Sequence, residues 1–128
     1  MPRTILIVED AAHYASALEM AFLAIPNVEV AHALTGRQAL KYLSSRGAPE
    51  VAVLVTDLQM PVMDGFELIE QVRSAAHWAR LPIVVISGDT NPETPDRLKR
   101  LGADAYFTKP YSPGEVRKKV EELLNAGR

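Results

Sequence analysis

Three carboxylates, a hydroxyl and an ammonium stand at the ends of apolar runs in this chain. ILIV leads into Glu9 and Asp10, VAVLVT into Asp57, PIVVI into Ser87, and DAYFT into Lys109. If the runs are parallel strands, their carboxyl ends share one rim, where open α/β sheets place their sites. Taken singly, an aspartate after a strand is most often a loop or helix-capping residue. The coincidence of four such ends is what points to chemistry. Carboxylates at Asp10 and Asp57 offer hard oxygen ligands to Mg2+, which keeps several of its waters and needs only one or two protein carboxylates. Without a cation their mutual repulsion is costly. Lys109 adds a mobile positive charge and Ser87 a hydroxyl, both suited to phosphoryl oxygens as charge spreads during transfer. The leading chemistry is acceptance of a phosphoryl group by an aspartate beside a divalent cation.

Such a rim needs a particular scaffold. Apolar runs of strand length alternate five times with segments of helical period, the pattern of a doubly wound parallel sheet with helices on both faces. Strands are expected at residues 4–9, 28–34, 51–56, 82–87 and 104–108, and helices at about 11–25, 36–46, 65–76, 95–101 and 113–125. Right-handed crossovers then bring every strand-to-helix loop to one edge, so that Asp10, Asp57 and Lys109 become neighbours. The second strand, VEVAHAL, ends without a charge, as suits an edge position away from the site. Thr35 with Gln38, Asp64 with Glu67, and Ser112 with Glu115 have the spacing of capping boxes. Pro113 suits a first helical position, and Gly47 and Gly102 suit left-handed helix ends. Tyr14, Leu18, Phe22 and Ile25 form one apolar helix face, and Val116, Val120, Leu123 and Leu124 another, both read as core.

Composition narrows the classes. The 128 residues make one ordinary domain. A formal charge of -2 gives no footprint for nucleic acid or an anionic membrane. The absence of cysteine excludes disulfides and thiolate metal sites. MPRTILIVED is too short an apolar start for a secretory signal, and no run is long enough to span a bilayer, so a cytosolic setting is expected. His13, His32 and His77 match no metal-ligand spacing, and the basic residues Arg97, Lys99, Arg100, Arg117, Lys118 and Lys119 read as a solvated face.

The stretch VTDLQMPVMDGFEL resembles the signature of response-regulator receiver domains, in which an aspartate ending the third strand takes a phosphoryl group from a histidine kinase. ILIVED, TDLQMPVMDG, VVISG and GADAYFTKPY carry the likeness in order along essentially the whole chain, which makes it a specific one. The resemblance, to chemotaxis-regulator-like members above all, implies a single receiver domain over residues 1–128 with a flavodoxin-like strand order 2-1-3-4-5. It implies Asp57 as phosphoacceptor and an acidic pocket of Glu9, Asp10 and Asp57 holding Mg2+ or Mn2+, completed by the backbone carbonyl of Gln59, with Glu9 acting through a water. Lys109, Ser87 and Gly88 would surround the phosphoryl group, and Tyr106 would follow the orientation of Ser87. Pro110 stands where the family has a cis peptide, and Gln59 and Asp89 stand where receivers tune attack by water.

As implied partners, a histidine kinase or phosphotransfer protein would supply the phosphoryl group, and an output protein would read the face made by the fourth helix, fifth strand and fifth helix. Such a domain assists its own phosphorylation and hydrolysis but is no enzyme toward an outside substrate. Two other classes fit less well. A haloacid-dehalogenase-type phosphatase needs an acidic residue two positions after its nucleophile, where this chain has Gln59, and a flavin carrier needs a glycine-rich loop where it has EDAAHY. A receiver-like interaction module that has lost phosphate chemistry conflicts with the intact residue set. The short fourth helix, opened by Pro92 and Pro95 and anchored mainly by Leu98 and Leu101, is expected to make Asp89 to Leu101 the most mobile segment.

Overall fold

The computed structural model describes residues 2–46 and 51–126. Five strands, β1 (Arg3–Val8), β2 (Val28–Ala33), β3 (Val51–Asp57), β4 (Ile83–Ser87) and β5 (Ala105–Thr108), alternate with helices α1 (Ala12–Phe22), α2 (Gly36–Arg46), α3 (Gly65–Ser74), α4 (Thr94–Leu101) and α5 (Pro113–Ala126). All strand pairs are parallel, and the order is β2-β1-β3-β4-β5, as expected.

The unbroken apolar runs follow from burial on both faces, because successive side chains in a strand point to opposite sides. Leu6, Val8, Leu54, Ile83 and Val85 face one core layer with Ala39 and Leu43 of α2, Leu68, Ile69 and Val72 of α3, and Leu98 of α4. Ile5, Ile7, Val53, Val55, Val84 and Ile86 face the other, with Leu18 and Phe22 of α1 and Val116, Val120 and Leu124 of α5. Leu54 is fully enclosed. Truncating it to alanine should cost about 2–5 kcal/mol, much of any small domain's margin.

Differences from expectation lie at the ends. The first helix covers Ala12–Phe22 rather than 11–25, and Ile25 still packs into the core from the turn that follows. The third stops at Ser74, and a separate 3-10 turn spans Ala76–Trp78. The capping boxes are half realised. Thr35 Oγ1, Asp64 Oδ1 and Ser112 Oγ accept from the amides three residues on, at 3.1, 2.9 and 3.4 Å. Gln38 reaches back to the Leu34 amide at 2.8 Å, one residue before the cap, while Glu67 and Glu115 return no side-chain bond among the described residues. Exposed carboxylates gain little from an amide that water also satisfies. Gly102 ends α4 at φ 95° and Pro113 opens α5, both as expected, whereas Gly47 lies outside the described residues.

Candidate functional site

Parallel strands deliver their ends to one rim, and the rim collects the expected residues. Glu9 follows β1 and is fully buried, with its amide bonded to Ala33 O at 3.1 Å and its carbonyl 2.7 Å from His32 Nε2. Asp57 ends β3 at 3% exposure. The Lys109 ammonium joins the two, 3.0 Å from Glu9 Oε1 and 2.9 Å from Asp57 Oδ2. The second oxygens are occupied as well. Glu9 Oε2 accepts from the Ala11 amide at 3.1 Å, and Asp57 Oδ1 from the Gln59 amide at 3.2 Å. Asp10 is exposed beside them, and carboxylate oxygens of Glu9, Asp10 and Asp57 lie within 4.8 Å of one another.

Charge makes this arrangement costly on its own. Burial pushes the Glu9 carboxyl above its ordinary value; the Ala11 amide and Lys109 oppose that, and the charge of Asp57 adds to it. Burial would lower the Lys109 ammonium, but hydrogen bonds to Asp57 and Glu9, with their charges, outweigh it and leave it raised. Three carboxylates against one ammonium leave two negative charges in excess, a donor set of hard oxygens that fits a divalent cation.

Ser87 ends β4 with its side chain fully enclosed, and its Oγ accepts from the Asp89 amide at 3.1 Å. The Ser87 carbonyl accepts from the Lys109 amide at 2.8 Å, which ties the hydroxyl strand to the lysine loop just before the cis Lys109–Pro110 bond. At Gly88 a Cβ would meet nothing within 4 Å, so the protein itself does not demand glycine there and open space adjoins Ser87. Asp89 turns away from the carboxylates. Its Oδ2 accepts the Thr94 hydroxyl at 2.6 Å and its Oδ1 the Asn91 amide at 3.0 Å, while its carbonyl accepts from Tyr106 Oη at 3.2 Å. Gly88, Asp89, Pro95, Tyr106 and Lys109 help line a groove of about 430 Å³ that leads from the site toward α4 and β5.

Three residues near the rim escaped the sequence reading of the site. Tyr14, read as core, has its ring centroid 4.1 Å from Lys109 Nζ. Tyr111 lies 5.8 Å from Tyr14, ring to ring, and its hydroxyl is buried with no hydrogen-bond partner among the described residues. Gly65 allows the start of α3 to press on β3, where a Cβ would come 2.5 Å from Asp57 O. The Asp-Gly pair opening a helix was the available signal for Gly65.

A buried aspartate bridged by lysine at the strand ends of a parallel α/β domain is an arrangement suited to accepting a phosphoryl group. Residues 5–121 match the family model for the response regulator receiver domain, and the chain belongs to that family, whose general role is a phosphorylation switch in two-component signalling. The chain is 31% identical over 90 residues to the two-component response regulator ORR11 of Oryza sativa, covering 70% of this chain and 60% of that protein's length. A chemotaxis protein CheY homolog of Campylobacter jejuni is 26% identical, over 96% of this chain and 93% of its own. Among solved structures, the chemotaxis response regulator CheY4 of Vibrio cholerae superposes with a TM-score of 0.82 at 28% identity, covering 96% of this chain and 99% of that one. Among the described residues, no helix is long and apolar enough to cross a membrane.

Proposed function

We propose that Asp57 is the phosphoacceptor of this receiver domain. The observation that carries the reading is the Lys109 ammonium held between Asp57 and Glu9, 2.9 and 3.0 Å away, beside the exposed Asp10. One carboxylate oxygen of Asp57 attacks phosphorus, and an O–P bond forms. The bond from phosphorus to the donor's imidazole nitrogen breaks, its electron pair stays on that nitrogen, and the imidazole takes up a proton. Lys109 balances charge on the phosphoryl oxygens, and Ser87 donates its hydroxyl to one of them across the open space at Gly88.

Glu9, Asp10 and Asp57, with the Gln59 carbonyl, would hold Mg2+ or Mn2+, which when bound neutralises the carboxylates and draws the phosphoryl oxygens in. Glu9 has both oxygens engaged, which suits a contact through water. Gln59 is exposed next to Asp57 and governs access of water to the phosphoryl group, while Asp89 acts on its lifetime through the loop that it braces. Ser87 is coupled through Asp89 to Tyr106, so the chemistry reaches the face formed by α4, β5 and α5, where an output protein would read it. The donor is a histidine kinase or phosphotransfer protein, the setting cytosolic, and residues 1–128 act as one receiver domain that has no outside substrate.

The test is exposure to acetyl phosphate and Mg2+ with intact-protein mass spectrometry. A single phosphoryl addition, cleaved by base, by strong acid and by hydroxylamine as an acyl phosphate is, that maps to Asp57 and is lost in Asp57→Asn is expected. Equal labelling of Asp57→Asn would reject the assignment.

A further inference from the structure

We infer that Tyr14 is a positioning residue for Lys109: its ring holds the ammonium at the rim when the carboxylates are taken by a cation. This rests on the roles proposed above for Asp57 and Lys109. Among the described residues the Lys109 ammonium has three partners, namely Glu9 Oε1 at 3.0 Å, Asp57 Oδ2 at 2.9 Å and the Tyr14 ring, 4.1 Å to its centroid. The first two belong to the carboxylate cluster that can share a metal ion. A divalent cation competes with the ammonium for those oxygens and carries twice its charge. The ring face attracts the ammonium through its quadrupole and offers no oxygen to a hard cation. Tyr14 is therefore the partner that metal binding leaves in place.

The ring is itself well held. It stands one helical turn before Leu18, which is fully buried, so its backbone is fixed by the core. Tyr111 flanks it at 5.8 Å and His13 at 4.2 Å, both tilted. The Lys109 backbone is fixed in turn by its bond to Ser87 O at 2.8 Å. Between two fixed ends only the lysine stem can move, and the ring limits its range to positions beside Asp57. A flexible four-carbon side chain otherwise loses much rotamer freedom to reach a transition state, and a partner that pre-orders it lowers that cost.

The test measures initial phosphorylation rates with acetyl phosphate in saturating Mg2+, over a range of donor, for wild type, Tyr14→Phe, Tyr14→Leu, Lys109→Met and the Tyr14→Leu/Lys109→Met double variant. Tyr14→Phe keeps a ring face and should match wild type. Tyr14→Leu should lower the maximal rate about fivefold, equivalent to ~1 kcal/mol, without changing Mg2+ affinity. In the Lys109→Met background the same change should add nothing. A readout free of activity is the proton resonance of the Lys109 ε-methylene, shifted upfield by the ring in wild type and Tyr14→Phe and relieved in Tyr14→Leu. A wild-type rate for Lys109→Met would reject the underlying role of Lys109. With Lys109→Met slow, a wild-type rate for Tyr14→Leu, or an equal loss with and without Lys109, overturns the role of Tyr14. Absence of the upfield shift in the wild-type protein overturns it even if Tyr14→Leu does not fold.

Discussion

A Cβ on Gly65 would lie 2.5 Å from the carbonyl oxygen of Asp57 and 2.7 Å from the Cα of Leu58. The first turn of α3 thus rests on the peptide that carries the aspartate, and the Gly65 amide donates to Leu58 O at 2.8 Å. Both obstacles are backbone and cannot rotate aside. Gly65→Ala should cost about 1–3 kcal/mol, seen as a lower urea midpoint at unchanged slope. It should also slow phosphorylation under conditions where the variant is fully folded, because Asp57 moves with the strand end. A wild-type midpoint and rate would mean that α3 can shift without dragging Asp57.

The two acidic residues after β1 should differ in their effect on metal. Asp10 is exposed and makes no hydrogen bond among the described residues, whereas Glu9 is enclosed and already bonded to Lys109 and the Ala11 amide. Asp10→Asn should therefore weaken Mg2+ binding more than Glu9→Gln, by about tenfold or more against wild type. Equal losses in a fluorescence or calorimetric titration would make Glu9 a direct ligand.

Why some of this was legible in the sequence and some was not follows from the residues themselves. Strands buried on both faces read as apolar runs, so the first charge after each run marks the rim, and Glu9, Asp57 and Lys109 announce themselves. Pro113 and Gly102 mark helix ends because each fits one backbone conformation there and few others. Tyr14 did not stand out, because spacing shows only that it shares a stripe with Leu18 and Phe22. A ring at the end of that stripe looks the same whether it meets a methyl group or an ammonium. Asp89 turns to Thr94, whose hydroxyl it accepts at 2.6 Å, and a five-residue spacing in a loop does not announce that contact. Gly65 has a role only once the place of the Asp57 carbonyl is known.

Tyr111 offers a test of the rim's packing. Its hydroxyl is buried with no partner among the described residues, and burial, with the charges of Glu9, Tyr14 and Asp57, pushes its ionisation well above the ordinary tyrosine value. Removing an unsatisfied hydroxyl removes a desolvation cost, so Tyr111→Phe should be neutral or more stable by up to about 1 kcal/mol. A fall in stability would show that the hydroxyl has a partner in solution.

The loop after β4 should loosen in acid. The Thr94 hydroxyl, then the Asn91 and Thr90 amides, hold the Asp89 carboxyl below its ordinary 3.8. Its folded value is thus below the unfolded one, so the unfolded chain takes up the proton first as pH falls. The stabilisation is present above pH 3.8 and is lost as pH drops through the folded value. The Asn91 and Thr94 amide resonances should titrate together with a midpoint below 3.8, and Asp89→Asn should abolish that step. A midpoint at or above 3.8 would mean that Thr94 does not hold the carboxylate in solution.

The two ends of α4 are held by different means, which divides the expected mobility of the segment from Asp89 to Leu101. Only Thr94 and Leu98 of the helix are buried, and Glu93 gives it no side-chain cap. Its entrance depends on local bonds, from the Thr94 hydroxyl to Asp89 and from the Glu93 amide to Asn91 Oδ1 at 2.9 Å. Its exit is gripped from α3, where Arg73 donates to Gly102 O from Nη2 at 2.7 Å and from Nε at 3.3 Å. Amides from Asp89 to Thr94 should therefore exchange faster than those of the other helices, and those from Leu98 to Ala103 more slowly than the entrance. On the role proposed for Ser87, phosphorylation would draw off the hydroxyl that accepts the Asp89 amide, so protection should change at the entrance first. Arg73→Ala should extend fast exchange to the exit and leave the rate of phosphorylation unaltered. Uniform protection across the segment, indifferent to phosphate, would place the switch elsewhere in the domain.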